Sequence, residues 1–135
     1  MPPVCRFRFR ALLSVAAAAL FATSPAAQAT PAENDAALLK LATDSGCMAC
    51  HSVLPATKRA DGLPPIAPAW REIALKYRDD PTASDRLTQT VMTGSNPQSR
   101  HWTGKTGATA MPPNATAISE GDARMLVNWL LVLVP

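Results

Sequence analysis

Apolar residues recur at three- and four-residue spacing in four stretches of the chain. That spacing lays one stripe along a helix. The first stretch, 35–43, puts Leu38, Leu41 and Ala42 on one side. Asn34 is placed to cap it, and Asp35 suits the positive end of the helix dipole. The second, 69–78, aligns Trp70, Ile73, Ala74 and Tyr77. The third, 83–93, turns Leu87, Thr90 and Val91 inward and stops at Gly94. The fourth follows Ser119-Glu120-Gly121-Asp122, which reads as a capping box, and stripes Ala123, Leu126, Trp129, Leu130 and Leu133. No stretch alternates with period two long enough to make a strand. The pattern predicts an all-α domain of about four helices.

Two long connections separate these helices. Residues 52–68 include Pro55, Gly62, Pro64, Pro65 and Pro68, which exclude a regular helix. Residues 95–114 include Gly104, Gly107, Pro112 and Pro113. Loops this long inside a small domain are expected to carry function. The run 125–134 is nearly all apolar, but ten residues cannot span a membrane. Burial in the core is the expected fate of this run, and contact with a partner is the alternative.

The N-terminus has a separate logic. Arg6, Arg8 and Arg10 precede a twelve-residue apolar run, 11–22, and Ala27-Gln28-Ala29 follows. Charged, apolar and small-residue segments in that order make a secretory signal peptide, here 1–29, cleaved after Ala29. The mature domain is then 30–135, exported to the periplasm, with no transmembrane span. The full chain has 13 basic and 10 acidic residues. Losing the three leader arginines balances the mature charge, so nothing supports nucleic-acid binding.

Removing the leader also removes Cys5, which leaves Cys47 and Cys50 as the only pair. They stand in Cys47-Met48-Ala49-Cys50-His51, the spacing of covalent c-type haem attachment. On a helical turn these positions are i, i+3 and i+4, so both sulfurs and the imidazole leave on one face. The sulfurs can add to the two vinyl groups of one haem c while His51 lies under the iron. Two other uses of CxxC fit less well. A thiol–disulfide oxidoreductase motif opens a helix after a strand, and no strand pattern precedes Cys47. A zinc site needs four good ligands, more than the mature chain offers.

A six-coordinate iron needs a second axial ligand. Met48 lies within the attachment turn, while Met92 and Met125 lie in expected helices, where they read as core filler. Met111 lies in a loop stiffened by Pro112-Pro113, which favours it as the second metal ligand alongside His51. His101 is the other candidate.

The segments GCMACHSV, IAPAW, HWTGKTGATAMPPN and MLVNWLL resemble the short bacterial class I cytochromes c, of the c-551 and c-552 kind. The likeness runs over 44–133. It implies the class I fold, about four helices wrapped around one covalently bound haem, with His51 as proximal ligand. By the same resemblance the Pro68 carbonyl accepts from Nδ1–H of His51 and orients it. Trp102 is expected to reach a haem propionate. Asn114 is expected to hydrogen-bond near the Met111 sulfur, and Trp129 to serve where the last helix crosses the first. The chain departs from the family pattern at Ala67, where glycine is usual, and in longer loops at 52–68 and 102–111.

The expected function is one-electron transport by a monomer without enzymatic activity, docking transiently with redox proteins. A dedicated haem subunit of a periplasmic dehydrogenase or reductase is the alternative, and an open-site haem sensor a more distant one. Lys58, Arg59, Arg100 and Lys105 in the two loops suggest a basic patch for an acidic partner.

Overall fold

In the computed structural model, residues 30–98 and 101–133 are described; the expected leader and Arg100 lie outside them. Four helices follow in order: α1 (Pro31–Asp44), α2 (Trp70–Tyr77), α3 (Ala83–Thr93) and α4 (Glu120–Leu131). A 3₁₀ turn at Cys47–Ala49 follows α1 directly. Among the described residues there is no strand.

The cap of α1 lies four residues before the expected one. Thr30, not Asn34, is the N-cap, and Asn34 is already helical. The Thr30 hydroxyl accepts from Glu33 N–H at 3.3 Å, while the Thr30 N–H donates to Glu33 Oε2 at 2.8 Å. This reciprocal box satisfies two groups that a helix start leaves orphaned, and Pro31 at N1 needs no N–H partner. α4 begins as expected, with Ser119 Oγ accepting from Asp122 N–H at 3.1 Å.

α4 is the central packing element, lying against α3, α2 and α1. Ala42, Ala74 and Ala123 are completely buried, and such small residues let helix backbones approach. Trp70, Ile73, Ile118, Leu126 and Leu130 fill the space between them. The Trp70 and Trp129 rings meet edge to face at 5.5 Å, and Trp129 Nε1–H donates to Asp35 Oδ1 at 2.8 Å. That pair fixes α4 across α1. On α3 the fully buried threonine is Thr88, not Thr90. The Thr88 hydroxyl is satisfied by donating to the Ser84 carbonyl, a bond that lets a threonine be buried without cost to its polar atom. Thr90 is half-buried.

Met92 packs on the core as expected. Met125 does not: it is 51% exposed, because the buried stripe of α4 passes through Ala123, Leu126, Val127 and Leu130 and leaves position 125 outside. Val132, just past the helix, is also exposed. No helix of the described residues is long and apolar enough to cross a membrane.

Candidate haem site

The site begins where α1 ends. Gly46 takes φ +77°, a left-handed conformation that stops the helix and turns the chain into Cys47–Ala49. Within this turn the N–H groups of Cys50 and His51 both donate to the Cys47 carbonyl, at 3.3 and 3.1 Å. The local geometry thus gathers Cys47, Cys50 and His51 on one tight turn. The turn follows a helix, not the strand that a thiol–disulfide motif would use.

The next loop closes back on itself. Trp70 N–H donates to the Ser52 carbonyl at 2.9 Å, and Arg71 N–H to the Val53 carbonyl at 3.2 Å. These bonds pin both ends of 52–68 at the start of α2, which brings Pro68 beside His51. The Pro68 carbonyl accepts from Nδ1 of His51 at 2.8 Å, which leaves Nε2 as the imidazole's other nitrogen for a ligand. Burial lowers the His51 pKa below its usual value, and the bond to Pro68 opposes that shift. Burial also raises the Cys47 thiol. The Trp70 ring lies 6.2 Å from the imidazole and limits its swing.

The second loop supplies another part of the site. Met111 N–H donates to Ser95 Oγ at 2.9 Å, and Ser95 N–H donates to the Met111 carbonyl at 2.9 Å. Asn114 turns its amide to backbone carbonyls: Nδ2 donates to Pro112 at 2.7 Å and to Val91 at 3.3 Å. Its side chain therefore anchors the Met111 loop to α3. Trp102 is half-buried between two cations, with Lys76 Nζ 5.2 Å and Lys105 Nζ 5.9 Å from its ring. The two loops are joined by Gly107 N–H donating to the Pro65 carbonyl at 2.9 Å.

The attachment turn, the His51 partner and the Met111 loop line one cavity of about 630 Å³, within the size range of cofactor pockets. Cys47, Cys50, His51, Pro68, Trp102, Met111 and Asn114 are all on its wall. Ile73, Leu126 and Leu130 supply apolar surface. Of the sequence candidates for second ligand, Met111 and His101 reach this cavity, whereas Met48, Met92 and Met125 do not. His101 is exposed, and its Nδ1 lies 3.3 Å from the Tyr77 hydroxyl. The cavity fits a haem by its chemistry: two thiols on its wall, an oriented imidazole, a thioether and an apolar lining.

The expected basic patch is weaker than its charge count. Arg59 is paired with Asp61, and Lys105 lies 3.7 Å from Glu72. Lys58 lines a small hollow beside Cys50. Ser95 and the Lys76–Trp102 contact were not legible in the sequence, because each depends on chain segments brought together by the loops.

No family model matches the chain. Over 104 residues it is 39% identical to cytochrome c-551 of Allochromatium vinosum, covering 77% of this chain and 94% of that one. It is 35% identical over 113 residues to cytochrome c-552 of Nitrosomonas europaea, covering 84% of this chain and 91% of that one. The crystal structure of wild-type Nitrosomonas europaea cytochrome c552 superposes with a TM-score of 0.55 at 34% identity. That match covers 70% of this chain and 98% of the other.

Proposed function

This chain belongs to the class I monohaem cytochromes c, electron-transfer proteins with one covalent haem c, held here by Cys47 and Cys50, and from that premise we propose that it is a periplasmic one-electron carrier with His51 and Met111 as axial ligands. The bound haem supplies the Fe(III)/Fe(II) couple. The protein's residues set how that couple behaves. His51 is held by Pro68 in one tautomer, and a thioether from Met111 raises the potential relative to a second histidine. The apolar wall keeps water from the ring, and helices packed on α4 leave little to rearrange when the charge changes. The observation that carries this reading is convergence: Met111 alone of the methionines reaches the cavity that Cys47, Cys50 and His51 line, among the described residues. Export by the 1–29 leader places the chain where c-type haem is attached, and reversible docking suits a monomeric shuttle.

Visible spectra of the purified protein test this. A sharp reduced α-band that survives acid-acetone extraction is expected. The oxidised form should show the weak red absorbance of a thioether on iron, and Met111→Ala should abolish it. Red absorbance that persists in Met111→Ala, or is absent from the native protein while CO binds the reduced form tightly, overturns the ligation.

Exposure of Met125 and Val132 favours one second reading, a dedicated subunit of a larger redox complex, since exposed apolar residues suit a lasting contact. Gel filtration of untagged periplasmic extract separates the two. A shuttle elutes alone at the size of the mature chain.

A further inference from the structure

We infer that Ser95 is a positioning residue for Met111, its hydroxyl and backbone N–H forming a two-bond clasp that presents the thioether to the cavity. The inference rests on Met111 being the second axial ligand. Met111 belongs to no helix, and the chain that reaches it from α3 is long and contains Gly104 and Gly107. On its C-terminal side, Pro112 and Pro113 fix two φ angles. The clasp is the corresponding restraint on Met111 itself: its N–H donates to Ser95 Oγ and its carbonyl accepts from Ser95 N–H, both at 2.9 Å.

The end of α3 is shaped to receive this segment. Gly94 carries φ +83°, and a Cβ built there would lie 2.8 Å from the Met111 carbonyl oxygen and 3.0 Å from Pro113 N. Only glycine allows this approach. Below it, the Asn114 backbone N–H and Nδ2 both reach the Val91 carbonyl, at 3.0 and 3.3 Å. The 111–114 segment is therefore strapped to the last turn of α3 at both ends, and Ser95 Oγ is the one side-chain atom holding the Met111 N–H.

A thioether is a weak iron ligand, so the small population with sulfur detached depends on how firmly its backbone is held. Removing the hydroxyl leaves a half-buried N–H without its acceptor, and a loss of that kind changes an equilibrium by about tenfold. Exogenous imidazole reports the detached population, because it binds ferric iron only when the sulfur has left, and its apparent affinity scales with that fraction.

The test uses the native holoprotein with Ser95→Ala and Ser95→Thr. Ser95→Ala is expected to bind imidazole about tenfold more tightly and to lose its red absorbance on warming well before its helices unfold. Ser95→Thr, which keeps the hydroxyl, should return imidazole affinity to within about twofold of native. Native imidazole affinity in Ser95→Ala overturns the inference, whether or not the variant melts earlier, since lower stability alone is a structural effect. Native protein without red absorbance overturns the ligation reading itself and the role of Ser95 with it, a failure visible before any variant is made.

Discussion

Gly94 shows how much one residue can decide. Its φ of +83° and ψ of 169° lie in a region that only glycine enters readily, and the Met111–Pro113 backbone rests where a side chain would be. Gly62 has a similar φ, +78°, but open space around it. Gly94 thus combines a backbone region closed to other residues with a close contact, whereas Gly62 has no such contact. Gly62→Ala should cost about 1 kcal/mol, the ordinary penalty of a left-handed residue. Gly94→Ala should cost about 3 kcal/mol and weaken the red absorbance, because the Met111 segment must move. Urea denaturation of both variants measures the difference, and equal costs would mean that neither the contact nor the backbone region of Gly94 adds to the ordinary penalty. The sequence marks Gly94 as a helix stop because that signal is local. It does not show what packs on Gly94, since the partner lies seventeen residues away. For the same reason Cys47, Cys50 and His51 are legible within five residues, while Ser95 carries no local signature at all.

At the scale of elements, helical periodicity locates α2, α3 and α4 to within a residue or two, because each has a buried stripe that repeats from its first turn. α1 differs. Its first turn buries nothing, so the apolar pattern begins only at Leu38, and the true start is written in the Thr30–Glu33 cap. The register of α4 is legible in the same partial way: Ala123, Leu126 and Leu130 are buried as expected, but Val127 joins them, Trp129 is only half-buried, Leu133 lies past the helix end, and Met125 is exposed. How α4 meets α1 depends on Trp129, which combines an edge contact to Trp70 with a donor bond to Asp35. These two contributions are separable. Trp129→Phe keeps a ring against Trp70 and should lose about 1 kcal/mol, the value of the bond. Trp129→Ala also opens a gap between α1, α2 and α4 and should lose about 3 kcal/mol. Equal losses in chemical denaturation would place the whole effect in the hydrogen bond and none in the packing.

At the scale of the whole molecule, the two long loops are legible as irregular connections but their paths are not. Their paths are set by backbone bonds such as Gly107 to Pro65 and Trp70 to Ser52, which any residue but proline can donate. The start of the folded domain carries one more consequence of the proposed export. Cleavage after Ala29 makes Thr30 the first residue, and Thr30 is the N-cap of α1. Its nitrogen, 2.8 Å from Glu33 Oε2, then becomes an ammonium group. A positive charge at a helix N-terminus opposes the dipole, so the carboxylate of Glu33 gains importance as its counter-charge. The backbone and hydroxyl bonds from Thr30 already hold the Glu33 pKa below its usual value of 4.5. A lowered carboxylate pKa gives stability that is complete above the unfolded value and is lost as pH falls through the folded one. Glu33→Gln should therefore lower the melting temperature at pH 7, with the gap to native protein closing as pH drops below 4.5. Intact mass of the periplasmic protein checks the premise: it should equal residues 30–135 plus one haem. A mass that begins elsewhere removes the ammonium from the cap, and a gap independent of pH removes the carboxylate charge from the explanation.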